Sequence, residues 1–149
     1  MKEVIGTLNA QGMKIALVVS RFNSFLTEQL VKGAADAFVR LGGDEKDLLL
    51  VRVPGAYEIP LVAKRLAAAK AVDAVLALGA VVQGATAHAD LINQATAKAF
   101  EEISVETGVP VLDGVVSAEN LSRPASAAAR SRATRASRRC SPPSRWSMC

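Results

Sequence analysis

A chain of 149 residues, half of them hydrophobic, is one domain's worth of sequence and can bury a substantial core. No apolar run approaches the roughly 20 residues of a membrane span. The start, Met1-Lys2-Glu3, lacks the basic and apolar blocks of a signal peptide, so a cytoplasmic protein with no membrane partner is expected. The net charge of +4 divides unevenly: residues 1–121 hold 11 Lys/Arg and all 14 Asp/Glu, whereas residues 122–149 hold seven Arg and no acid. The high pI therefore belongs to a tail and says nothing about the domain's partners. Cys140 and Cys149 also lie in that tail, which leaves the domain without a disulfide or a thiolate metal site.

In chain order, Lys14–Ser20 (KIALVVS) is a short continuous apolar run, the mark of a strand buried on both faces. Ser24 is placed to cap a helix in which Leu26, Leu30, Ala34, Phe38 and Leu41 recur at helical spacing, and Gly42-Gly43 stops it. Leu48–Val53 reads as a second strand, ended by Pro54-Gly55. A helix fits Glu58–Ala69, with Pro60 tolerable because it sits in the first turn. Ala74–Leu78 is a third buried strand, ended by Gly79, and after the segment 80–88 a long helix fits Asp90–Thr107. Gly108-Val109-Pro110 breaks that helix, and Val111–Val116 supplies a fourth strand.

Alternating strands and helices predict parallel pairing with right-handed crossovers, in a three-layer α/β/α sandwich around a four-stranded sheet. Ligands of such sheets sit beyond the carboxyl ends of the strands. Those ends are expected at Arg21–Asn23, Pro54–Glu58, Gly79–His88 and Asp113-Gly114. The sheet also needs a final amphipathic helix to cover one face. Residues 122–149, rich in Arg, Ser, Ala and Pro, carry no apolar stripe, and by composition they are disordered. With a sheet face of several hundred Å² uncovered, at roughly 25 cal/mol per Å², poor assembly is expected.

Three segments at the strand ends carry chemistry. His88, the only histidine, follows Gly84-Ala85-Thr86 at a strand-to-helix junction. It reads either as a surface or cap histidine or as an acid/base group beside an anion site made by helix-start donors and a hydroxyl. Gly84-Ala85-Thr86 matches neither a Walker loop nor GxGxxG, which disfavours nucleoside triphosphates and dinucleotides. Phe22 is either a core residue or a stacking surface for a planar heterocycle. Pro54-Gly55-Ala56-Tyr57-Glu58 is either a tight turn with a helix-start carboxylate, or a set of exposed amides able to read the edge of a pyrimidine.

Taken together and in order, SRFN (20–23), VPGAYEIP (53–60), LGAVVQGATAHAD (78–90) and TGVPV followed by GVV (107–116) resemble the lumazine synthases. The likeness covers residues 1–121, about four-fifths of the chain, and implies a flavodoxin-like fold. It implies condensation of 5-amino-6-(ribitylamino)uracil with 3,4-dihydroxy-2-butanone 4-phosphate to 6,7-dimethyl-8-ribityllumazine, a transferase step of riboflavin biosynthesis that uses no metal or organic cofactor. By the resemblance, the pyrimidine stacks on Phe22. Its ring and ribityl chain are held at Ala56, Tyr57 and Glu58 and at Ala80, Val81 and Val82. The phosphate of the second substrate lies at Ala85 and Thr86, and His88 transfers protons. The family assembles as pentamers, or as icosahedral shells of twelve pentamers. A neighbouring subunit supplies the position of Asp113, and riboflavin synthase is an implied partner.

The chain departs from the family pattern in four places. Gln83 stands where many members have Arg, Ala89 where many have an aromatic, and Asp113 where many have Phe. The fourth is the tail: the family's arginine for the substrate phosphate falls at Ala127, and its last two helices have no counterpart. A non-catalytic shell or flavin-binding protein of the same fold is therefore the rival reading. Seven tail arginines would give salt-sensitive, non-specific nucleic-acid binding at most. No recognisable module accompanies them, so no nucleic-acid partner is expected. Joining the third base of each permitted codon to the first two of the next, from Ser122, allows QA-x-ERGGTKSGNKG and later EMVN, which resembles the missing segment. A shifted reading frame near Leu121 is the expected origin of the tail. The nucleotide sequence checks this: an intact downstream frame upholds the shift, and its absence removes it.

Overall fold

The computed structural model describes residues 1–82 and 88–118, so the tail and its Ala127 lie outside the described residues. Four strands, β1 (Ile15–Ser20), β2 (Leu48–Val53), β3 (Ala74–Val82) and β4 (Val111–Ala118), form one parallel sheet in the order β2-β1-β3-β4. Helices α1 (Ser24–Arg40), α2 (Ile59–Ala68) and α3 (His88–Thr107) connect them. The α/β/α arrangement expected from the sequence is the one observed.

β1 is the hub, pairing with β2 from Ile15↔Leu48 to Ser20↔Val53 and with β3 from Ile15↔Ala74 to Val19↔Leu78. Side chains alternate between the faces of a strand, and both faces of β1 are buried. Ala16 and Val18, with Val75 and Ala77 of β3, face Ala63 and Ala67 of α2 and Phe100 and Ile103 of α3. Leu17, Val19 and Leu78 face Leu30, Val31 and Ala34 of α1. The second face is less well covered. Leu112 and Val116 of β4 alternate with Val111 and Val115 of the first core and so turn to the α1 side, where they are 52% and 39% exposed. Among the described residues, α1 alone covers that side, which agrees with the need for a further helix.

The helix ends show what the sequence pattern left out. Ser24 is the first residue of α1, not its cap. The cap position is Asn23, whose left-handed backbone (φ 59°, ψ 49°) closes the turn one residue earlier. Its side chain makes no capping hydrogen bond, so α1 forgoes about 1 kcal/mol that such a cap ordinarily provides. α2 starts at Ile59 because a 3-10 turn, Ala56–Glu58, precedes it. α3 stops where Gly108 takes φ +73°. There Ser104 Oγ accepts from Val111 N at 2.9 Å, tying the helix end to the start of β4. Lys64 and Glu106 form an ion pair between α2 and α3.

β3 and β4 run past their expected ends, pairing with each other from Val75↔Val111 to Val82↔Ala118. Gly79 therefore lies inside β3 rather than at its end, and Asp113-Gly114, expected at a strand end although within the run Val111–Val116, lies inside β4. These glycines serve close approach, not turning. A Cβ on Gly114 would lie 2.7 Å from the Ala77 carbonyl oxygen, and one on Gly79 would lie 3.1 Å from Ser20 Oγ.

Two other glycines give opposite expectations. A Cβ at Gly43 would fall 2.4–2.6 Å from the ring of buried Phe38, whereas one at Gly33, within α1, would meet nothing within 4 Å. Gly43→Ala should destabilise by about 1–3 kcal/mol. Gly33→Ala should stabilise by about 0.5–1 kcal/mol. Urea midpoints of the two variants check the pair, and a neutral change at 43 would contradict the packing described.

Candidate active site

The carboxyl ends of β1, β2 and β3 meet at one edge of the sheet. Beyond β1 the chain is held by main-chain hydrogen bonds to β2: Arg21 N donates to Val53 O at 2.7 Å and Phe22 N to Pro54 O at 3.2 Å. Phe22 is 65% exposed, which excludes the core reading of this residue. Beyond β2 the Ala56–Glu58 turn is closed by Glu58 N donating to Gly55 O at 3.3 Å, and Tyr57 and Glu58 are exposed. At the end of β3, Ala80 and Val81 are buried and Val82 is half-buried. His88, exposed, opens α3.

These pieces surround one open cavity of about 320 Å³, lined by Phe22, Gly55, Ala56, Tyr57, Glu58, Ala80, Val81, Val82, His88, Ala89 and Ile92. A volume of this order suits a small molecule. Among the described lining residues, Glu58 is the one carboxylate and His88 the one imidazole. No described group of His, Cys, Asp or Glu is arranged to hold a metal ion. On the α1 side of the sheet, a hydrogen bond from Arg52 holds the Glu28 carboxyl below the usual carboxylate range, away from this cavity.

Eight of the residues singled out in the sequence are thus brought together: Phe22, Ala56, Tyr57, Glu58, Ala80, Val81, Val82 and His88. Gln83, Ala85 and Thr86 lie outside the described residues. Asp113 does not line the cavity. It is exposed on β4, and its Oδ1 accepts from Val115 N at 3.0 Å. Gly55 and Ala89, named in the sequence only as part of a turn and as a departure from the family pattern, also line the cavity, and Ile92 lines it without having been singled out. Ile92 was legible in principle, because it stands one helical turn after His88 and shares its face. Gly55 matters for what it lacks, since a Cβ there would lie 2.9 Å from Glu58 Oε2.

A planar aromatic, main-chain polar groups at two strand ends, a carboxylate and an imidazole surround one cavity of small-molecule size in a parallel α/β protein. Comparison with known proteins is more specific. The family model for 6,7-dimethyl-8-ribityllumazine synthase matches residues 12–140, running past Leu121, where the motifs end. The 6,7-dimethyl-8-ribityllumazine synthase of Desulfotalea psychrophila is 52% identical over 116 residues, covering 78% of this chain and 75% of that protein. Proteins of the same name from Chlorobium chlorochromatii and Chlorobium limicola are 46% and 44% identical over 121 residues, 81% of this chain and 78% of theirs. The chain belongs to the 6,7-dimethyl-8-ribityllumazine synthase family, and with it to the transferases of riboflavin biosynthesis.

Gly55→Ala should displace the Glu58 carboxylate while sparing the fold, because the crowded atom is the free end of a flexible side chain. The expected result is a thermal midpoint close to that of the unsubstituted chain, with weakened binding of any ligand that uses Glu58. A large loss of stability would show that Gly55 serves the backbone instead.

Proposed function

We propose that this cavity binds 5-amino-6-(ribitylamino)uracil and condenses it with 3,4-dihydroxy-2-butanone 4-phosphate, giving 6,7-dimethyl-8-ribityllumazine, phosphate and water. The observation that carries the reading is the gathering of Phe22, the 56–58 turn, the 80–82 strand end and His88 around a single cavity. Phe22 stacks on the pyrimidine, an interaction worth roughly 1–3 kcal/mol by analogy with nucleobase stacking. Main-chain groups of Ala56 and Tyr57, the Glu58 carboxylate, and the end of β3 from Ala80 to Val82 hold the ring and the ribityl chain. Ala85 and Thr86 receive the phosphate of the second substrate.

The pyrimidine's free amine attacks the ketone and expels a first water to give an imine. Phosphate is then eliminated, the ring closes and a second water leaves. His88 stands at the cavity edge to move protons in these steps, a role worth about 10²- to 10⁴-fold in rate when a positioned acid/base group performs it. Much of the remaining acceleration comes from holding two mutually reactive partners in register.

With the family's helical end restored, the protein works as a homo-oligomer, a pentamer or a shell of sixty, in the cytoplasm, with Asp113 of one subunit completing a neighbour's site. Exposed apolar side chains support assembly: Val4, Ile5, Leu8, Phe25 and Leu112 are all more than half exposed. No described helix is long and apolar enough to cross a membrane. The 122–149 segment replaces the family's phosphate-binding and helical end. Loss of one charge-assisted hydrogen bond to phosphate there costs about 10- to 100-fold in affinity or rate.

Lumazine fluorescence after mixing the purified chain with both substrates tests the reading, alongside a version carrying the restored downstream frame. Lumazine formed by both shows that the described core suffices. Formation by the restored version alone identifies this chain as a damaged transferase. Riboflavin binding without turnover by either supports the non-catalytic rival. In an active version, Phe22→Ala should raise the KM for the pyrimidine by about tenfold or more. His88→Ala should lower kcat by about 10²-fold with little change in that KM.

A further inference from the structure

We propose that Asn23 is a positioning residue of the site, a clasp that fixes Phe22 against the end of β3. The inference rests on the reading of Phe22 as a stacking surface. With 65% of its surface open, the Phe22 ring has little packing to hold it, so its place is set by the backbone turn that carries it. One side of that turn is tied to β2 through Arg21 N and Phe22 N. The other side is tied by the Asn23 side chain, whose Nδ2 donates to Ala80 O at 3.1 Å, across 57 positions of sequence. Ala80, Val81 and Val82 form the cavity wall at the end of β3, so this one bond joins that wall to the turn bearing the aromatic.

Two features show that the side chain is diverted from an ordinary task. Asn23 occupies the N-cap position of α1, where an Asn oxygen normally accepts a helix N–H, yet it makes no capping bond. Its backbone is left-handed, a conformation that Asn tolerates better than most residues and that turns the amide away from the helix. Asp has the same shape but sets a carboxylate oxygen against the Ala80 carbonyl oxygen. Gly accepts the left-handed backbone freely and has no donor. The two substitutions therefore separate the hydrogen bond from the turn conformation.

The experiment uses the full-length chain and its Asn23→Asp, Asn23→Gly, Phe22→Ala and Phe22→Ala/Asn23→Asp variants. Each is titrated with 6,7-dimethyl-8-ribityllumazine by fluorescence, assayed for kcat and for KM of both substrates, and melted. Both single Asn23 variants should weaken lumazine binding and raise the pyrimidine KM by about 5- to 10-fold. The KM for the ketose phosphate should stay within about twofold. Without Phe22 the effect of Asn23→Asp should vanish, because residues acting as one unit are not additive. Unchanged lumazine affinity in both folded variants overturns the clasp, as does an equal loss with and without Phe22. Loss of the thermal transition in both variants also overturns it, since Asn23 would then serve the fold. If neither the unsubstituted chain nor its restored-frame version forms lumazine but lumazine is bound, the transferase reading falls while the clasp stays measurable by titration. If neither version binds or forms it, both readings fall.

Discussion

Parallel pairing is the constraint on which the rest of this structure depends. A parallel neighbour is reached only through a crossover, so the chain returns to the same edge before every strand and leaves every strand at the opposite one. Three segments distant in sequence therefore deliver their ends to one place: the turn after β1 with Phe22, the Ala56–Glu58 turn after β2, and the end of β3 leading to His88. The same constraint dictates composition. Central strands covered on both faces cannot alternate polar and apolar residues, which is why Ala16–Val19 is uninterrupted and wholly buried.

The two faces of the sheet are not equally served. α2 and α3 pack together against one face, with Phe100 and Ile103 inside and Lys64–Glu106 outside. α1 lies alone, among the described residues, on the other. Its contacts with Leu17, Val19 and Leu78 protect the middle of the sheet but not β4, where Leu112 and Val116 remain open to solvent. At roughly 25 cal/mol per Å² of apolar surface, covering this strip is worth several kcal/mol, a large part of an ordinary domain's stability. The site edge is untouched by this imbalance, because the cavity is lined from β1, β2, β3 and α3.

Legibility in the sequence followed the range of the interactions involved. Continuous apolar runs and helical spacing placed each described strand and α-helix, and β2 was placed to the residue. What escaped was decided between elements. Gly79 and Gly114 look like stop signals locally, yet they are mid-strand positions where other backbone and side chains come too near for a Cβ. Ser24 has the right chemistry for a cap, but the turn closes at Asn23 because of a left-handed backbone and a bond to Ala80, which no local pattern encodes. Most of the site was visible because strand ends collect ligands and the motifs fall on them. Ile92 was missed because a lone apolar residue on a helix reads as core. Asp113 was assigned to a strand end although it falls inside the apolar run Val111–Val116, and the β3–β4 ladder confirms it as a mid-strand residue.

A cavity assembled this way offers mostly backbone groups for polar recognition. Phe22 and Tyr57 are 65% and 70% exposed, so neither is locked by surrounding side chains. Ala56, Ala80 and Val81 have no polar side-chain atoms and offer only N–H and C=O groups for polar recognition. Such a site is as accurate as the turns that carry it. Hydrogen bonds from Arg21 N and Phe22 N tie the turn that carries the aromatic to β2, and one from Asn23 Nδ2 ties it to Ala80 of β3.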